Sequence, residues 1–239
     1  MKLTNLIRCI LFDILFYSVT AIITILGAPS LLTYRSARWV SDFYIHVVMF
    51  LVRNVLGIRC HFRPVPPKVN SRGRILAVKH QSAWETLALR YYYPDAVGVA
   101  KQTLFWSPFG WYLYRLGFIP VNRAGGSKAL QGMMRTVQQR LDSGIDVIIY
   151  PEGTRRAVDA PPVYKSGIYG LYRYCRAEVQ PIAHNSGYCW GKRALYRCPG
   201  VIGMVECAAI AEGLSKEEFM TLLEERIEGT CASLKQPAK

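Results

Sequence analysis

From Arg74 to the C-terminus, short apolar runs alternate with segments of helical period, and this alternation restricts the chain to an α/β architecture. Strands are expected at residues 74–79, 96–100, 118–121, 146–150, 179–184 and 201–209. Helices are expected at 82–91, 104–115, 127–141, 167–176 and 216–234, the last with its acids toward solvent. The expected fold class is therefore α/β, a central mixed sheet flanked by helices. In such folds, functional groups gather where strands end and loops begin. No internal repeat or low-complexity segment complicates this reading.

The N-terminal quarter is different. Residues 14–34 carry no charge, and Lys2, Arg8, Arg35 and Arg38 flank them. That run is long enough to cross a hydrocarbon core of about 30 Å as a helix. A cleaved signal peptide is the competing reading, disfavoured by the length of the run and by a cysteine pattern that does not suggest export. Residues 39–58 are again apolar but are interrupted by Asp42, His46 and Arg53, which fits a helix lying in the interface. Joined near Pro29, the two segments make either a monotopic hairpin or one span followed by an interfacial helix. Pro64, Pro66 and Pro67 read as a linker. The expected organisation is thus a membrane-attached helical segment at 1–63 and a globular domain at 64–239.

Charge agrees with membrane attachment. The net charge is +14, and the acids cluster late, so residues 1–205 carry a net +17. Such a body is drawn to an anionic bilayer or to nucleic acid. With no arginine-rich tract and no ladder of aromatics, nucleic acid is the poorer fit. The seven cysteines include no C-x-x-C pair and no zinc-ligand spacing, and they read as reduced thiols. His46 and His61 read as surface or packing residues.

Four short blocks at expected strand ends carry the chemistry. The first is His80-Gln-Ser-Ala-Trp-Glu85. Residues five apart do not share a helix face, so His80 belongs in the turn and Glu85 in the first helical turn, reaching back. A carboxylate that holds one imidazole nitrogen leaves the other free to take a proton from a hydroxyl. Ser82-x-x-Glu85 also fits a capping box, so a purely structural role for Glu85 stays open at this stage. The second block, Gly117-Phe-Ile-Pro-Val-Asn-Arg123, ends in an arginine that can meet an anion. The third is Tyr150-Pro-Glu-Gly-Thr-Arg-Arg156, in which Gly153 allows close backbone approach while Thr154 and Arg155 offer donors suited to phosphate. The fourth is Val179-Gln-Pro-Ile-Ala-His-Asn-Ser186.

In this order and spacing the four blocks resemble the glycerolipid acyltransferase family, in particular its bacterial 1-acyl-sn-glycerol-3-phosphate acyltransferases. The likeness covers roughly residues 60–210, and Lys101-Gln-Thr-Leu-Phe-Trp-Ser-Pro-Phe-Gly-Trp111 shares in it. Two departures stand out: Glu85 where the family has aspartate, and Arg156 where it has serine. The resemblance implies direct transfer of a fatty acyl group to the sn-2 hydroxyl of a lysophosphatidate, with His80 as base and Glu85 orienting it. Lys101, or backbone amides near Glu152 and Gly153, would stabilise the oxyanion. Arg123, Glu152, Gly153, Thr154 and Arg155 would hold the acceptor's phosphate. Acyl-CoA or acyl-carrier protein would be the donor, with no metal or further cofactor. The implied partners are membrane lipids at the cytoplasmic face of a bacterial inner membrane. Another lysolipid acceptor such as lyso-ornithine lipid, or a non-catalytic protein binding anionic headgroups, are the alternatives; nothing in the sequence sets the oligomeric state.

Overall fold

The computed structural model describes residues 3–65, 72–122, 125–192 and 195–234. The chain runs α1 (Leu3–Leu26), α2 (Tyr34–Asn54), β1 (Ile58–Arg63), β2 (Ile75–Val78), α3 (Trp84–Tyr92), β3 (Val97–Lys101), α4 (Pro108–Arg115) and β4 (Ile119–Val121). It continues through α5 (Gly126–Asp142), β5 (Val147–Ile149), α6 (Gly167–Cys175), β6 (Val179–His184), β7 (Gly200–Glu206) and α7 (Lys216–Ser233).

The seven strands form one mixed sheet in the order β1-β7-β6-β2-β5-β3-β4. β6, β2, β5, β3 and β4 are mutually parallel, while β7 runs antiparallel to β6 and β1 parallel to β7. β2 lies in the middle and is buried along its whole length, as its unbroken apolar sequence requires. Its side chains alternate between two cores. Leu76 and Val78 join α1, α2 and α3 on one face. Ile75 and Ala77 join α5, α6 and α7 on the other. Five parallel strands therefore deliver their C-terminal ends to one edge of the sheet.

Residues 58–63, grouped by sequence with the helical segment, are the edge strand of this sheet, so the α/β body begins at Ile58 rather than at 64. The strand's alternating burial and polar residues make it easy to overlook beside the apolar helix before it. A second adjustment concerns 104–115. Pro108 cannot continue a helix from upstream, so a 3-10 turn at Gln102–Trp106 ends there and α4 starts afresh, capped by the Ser107 side chain.

α1 and α2 are a hairpin closed by a 3-10 turn at Ala28–Leu32, with Thr20 meeting the Tyr44 hydroxyl at 3.0 Å. The turn is clasped by α4, where Arg115 donates to the Leu32 carbonyl and Tyr112 meets Ser30. α1 has the length and apolar character to cross a membrane. Its first half is nonetheless built into the body. Arg8 donates to the Val55 carbonyl at 2.7 Å, Asp13 makes a two-pronged ion pair with Arg197, and Cys9 and Phe12 are buried. Two charges of α2 are likewise tied down, with Asp42 bonded to both Arg38 and Arg90, while Arg35 and Arg53 are exposed. Much of what the hairpin leaves exposed is apolar: Ile10, Ile14, Ile22, Ile25, Trp39 and Phe43 among others.

Because α1 is structural, damage to it should cost stability. Phe12 is fully buried, stacked on Phe16 and edge-on to Trp190. Phe12→Ala is expected to lower unfolding free energy by about 3–4 kcal/mol, read as an earlier denaturation midpoint of the detergent-solubilised protein. An unchanged midpoint would mean that α1 does not rest on the body.

Candidate active site

His80 follows β2 at the centre of the strand-end edge, and α3 begins four residues later. Its Nδ1 lies 2.8 Å from Glu85 Oε1. Glu85 is fully buried in the first turn of α3. Its carboxylate also accepts the amides of Gln81 (3.0 Å) and Ser82 (2.9 Å) and the hydroxyl of Ser186 (3.2 Å). Burial alone would raise the carboxyl's pKa. The bond from His80, the neighbouring imidazoles and the Ser82 amide outweigh it, and the pKa is lowered. An ionised carboxylate only accepts, so Nδ1 carries the proton toward Glu85 and Nε2 is the nitrogen available as a base.

The two readings of Glu85 therefore coexist. It binds the amide of Ser82 as a capping carboxylate would, yet the Ser82 hydroxyl turns to Trp84 N rather than to Glu85 N. The carboxylate that ties down the start of α3 is also the one that orients the histidine.

The main chain around His80 is fixed from the third block. Glu152 is buried, and its two oxygens accept the His80 amide (2.8 Å) and the Lys79 ammonium (2.8 Å). Arg156 N donates to the His80 carbonyl at 2.8 Å. Glu152, expected among the phosphate ligands, is thus directed inward, where its charge is already matched. Gly153 adopts a left-handed φ of 70° in a tight turn, and its amide is bonded to the Tyr150 carbonyl. That amide is not free to meet an oxyanion or a phosphate; the glycine serves the turn. Thr154 is exposed. Arg155 is half-buried, and its Nε is buried without a partner. Arg123 lies outside the described residues. Lys101 is exposed at the end of β3, and with β5 between β3 and β2 its Cα stands about 10 Å to the side of β2's end.

Sequence reasoning missed several contributors. Lys79 is buried between Glu152 and Glu228, and Tyr164 donates to the same Glu228 oxygen at 2.6 Å. Glu228 belongs to α7, so one acid of that helix faces the site rather than solvent. Burial would lower the Lys79 pKa, but its two carboxylates raise it, so the ammonium stays charged. His184 is buried behind Glu85. Its Nε2 donates to the Lys79 carbonyl (2.7 Å), its Nδ1 accepts Ser186 N, and burial lowers its pKa, which keeps it neutral. Tyr150 stacks on the His80 ring at 4.0 Å. A lysine directly before the histidine and a serine ending the fourth block were the available signals; Glu228 offered none.

Next to Tyr150 a partly enclosed, mostly apolar cavity of about 320 Å³ opens between α2, α3, α4 and β3, with Leu113, Leu116 and Phe118 along it. Its width at β3 depends on Gly98, where a Cβ would come within 3.1 Å of the Phe118 ring. Among the described residues, no group of three or more His, Cys, Asp or Glu side chains is arranged for a metal. No disulfide joins the cysteines.

A family model described as Acyltransferase matches residues 58–185. A Pseudomonas aeruginosa protein named 1-acyl-sn-glycerol-3-phosphate acyltransferase is 32% identical over 218 residues, covering 89% of this chain and 84% of that protein. The human 1-acyl-sn-glycerol-3-phosphate acyltransferase beta is 27% identical over 132 residues, 54% of this chain and 48% of that protein. The crystal structure of a 1-acyl-sn-glycerophosphate (LPA) acyltransferase, PlsC, from Thermotoga maritima has the same fold. Its TM-score is 0.74 at 18% identity, over 97% of this chain and 99% of that one.

Proposed function

The chain belongs to the acyltransferase family, and we propose that it transfers a fatty acyl group to the sn-2 hydroxyl of 1-acyl-sn-glycerol-3-phosphate, giving phosphatidate. The observation that carries the mechanism is the His80–Glu85 pair beside an apolar cavity. His80 Nε2 takes the proton of the acceptor hydroxyl as its oxygen attacks the thioester carbonyl. Glu85 stabilises the resulting imidazolium. The tetrahedral intermediate then collapses, the C–S bond breaks, and the proton passes from His80 to the departing thiolate. Glu152 and Lys79 act through position, holding the His80 main chain. Lys101 remains the candidate cation for the oxyanion.

The donor is acyl-CoA or acyl-carrier protein, and the partly enclosed cavity suits its hydrocarbon chain, which arrives from water and gains by burial. No step calls for a metal. The exposed apolar face of the hairpin and the basic body fit attachment to the cytoplasmic face of a bacterial inner membrane. The direct test is an assay of detergent-purified protein with lysophosphatidate and each donor in turn, with lyso-ornithine lipid as the competing acceptor. Transfer to lyso-ornithine lipid alone would replace this assignment.

Arg155 is the phosphate ligand this reading leans on. Losing a charge-assisted bond of about 1.5–3 kcal/mol should raise the acceptor KM of Arg155→Ala by about 10- to 100-fold. Steady-state kinetics at saturating donor would measure it, with kcat and donor KM changing little. An unaltered acceptor KM would move the phosphate away from Arg155.

A further inference from the structure

Two cavities meet at Arg155. One is the partly enclosed chamber beside Tyr150; the other is a groove of about 480 Å³ along the flank of α1. Phe16, Tyr17 and Thr20 of α1 form one wall, and Trp190 and Leu195 form the other. We propose that this groove holds the acceptor's own hydrocarbon chain, with its anionic head at Arg155. The proposal rests on the acyl-transfer reading and adds to it where the second substrate lies.

Polarity along the groove is the first argument. Two guanidinium groups line it, each with a buried Nε that has no partner, but Arg197 is already held by Asp13 whereas Arg155 has no carboxylate paired with it among the described residues. Its apolar lining includes Tyr17 and Leu195, 67% and 83% exposed. A mostly apolar groove that carries one uncompensated guanidinium matches a single-chain amphiphile with an anionic head.

Access is the second. The donor's chain comes from a soluble carrier and suits the partly enclosed chamber. The acceptor and the product reside in the bilayer, so the acceptor's chain has to enter and leave sideways. The groove opens beside α1, whose outward residues Ile10, Ile14 and Ile22 are apolar and exposed. A chain in the groove can therefore stay in contact with lipid while its head reaches His80.

The walls are fixed, which is the third. Asp13 and Arg197, both lining the groove, form the two-pronged ion pair that holds the loop around Trp190 against α1. Arg197 also lies 4.5 Å over the Trp190 ring. Across from them the Thr20 hydroxyl is bonded to the Phe16 carbonyl and meets the Tyr44 hydroxyl.

The test uses lysophosphatidate carrying a photoreactive diazirine at its chain terminus, added to the full-length protein in mixed micelles. Mass spectrometry should find adducts on Phe16, Tyr17, Thr20 or Leu195. Adducts confined to Leu113, Leu116 and Phe118 would put the acceptor chain in the chamber beside Tyr150 and overturn the proposal. Thr20→Trp, which fills the groove, should lower kcat/KM for long-chain relative to short-chain acceptors by about tenfold or more. A shift in donor chain-length preference instead would also overturn it. Crosslinking needs no turnover, so a wild-type protein that makes no product would refute the acyl-transfer reading while the adducts still decide where the chain lies.

Discussion

His80→Ala is expected to reduce kcat by about 10²–10⁴, the usual loss when a general base is removed, and to leave the fold and membrane attachment in place. The structural side of that expectation follows from how the residue is held. The His80 amide and carbonyl are fixed by Glu152 and Arg156, and these main-chain bonds survive the substitution. Glu85 loses one partner but keeps the Gln81 and Ser82 amides and the Ser186 hydroxyl, so its buried charge is not abandoned. The loss of the stacked ring from Tyr150 should cost about 1 kcal/mol. Single-turnover transfer, measured beside vesicle binding and thermal unfolding, separates the two effects. Turnover within about tenfold of wild type would remove His80 as the base.

How far the sequence reached depends on whether a residue's partners are local. β6 was expected at 179–184 and forms there, because a run of apolar side chains ending at polar Asn185 and Ser186 needs no distant information. α5 and β2 fall within a residue or two of expectation for the same reason. His80 and Glu85 could be placed in turn and helix from spacing alone, and the turn between β2 and α3 brings them into contact.

The failures have distant partners. α1 extends back through Arg8 and Asp13 to Leu3, since the carbonyl and guanidinium that satisfy those charges lie at Val55 and Arg197. Glu228 could not be told from the solvent-facing acids around it, because Lys79 is 149 residues away in sequence. Glu152 was assigned to a ligand by its motif, and only the fold reveals that both of its oxygens are taken by protein donors. Gly153 was noted for allowing close approach, whereas its positive φ makes it a turn residue.

Glu85→Gln separates what charge does from what shape does, and its outcome is set by the donors around the carboxylate. Oε1 faces Nδ1 of His80 and the amides of Gln81 and Ser82, so three donors demand an oxygen there. The carboxamide nitrogen is thereby turned to the other side, where the Ser186 hydroxyl, a donor to Glu85, can instead accept, while the Ser82 amide, which the two carboxylate oxygens share at 2.9 Å each, is left to Oε1 alone. Glutamine then keeps the histidine tautomer and most of the bonding at the helix start, and it withdraws the negative charge and the second half of the shared Ser82 bond. Stability should fall by about 1–2 kcal/mol as charge-assisted bonds become neutral ones. Turnover should fall by about 10²–10³, since the imidazolium formed during proton transfer loses its counter-ion. The acid dependence of stability provides an independent check. The Glu85 pKa is lowered on folding from a reference of 4.5. Its contribution is therefore complete above that value and is lost as pH falls through the lower, folded-state pKa. Below that reference the stability gap between wild type and Glu85→Gln should accordingly narrow as the wild-type carboxylate takes up its proton. Near-normal turnover in the glutamine variant would leave Glu85 as a helix cap alone, and a gap that stayed fully open in strong acid would contradict the buried, ionised carboxylate on which the mechanism depends.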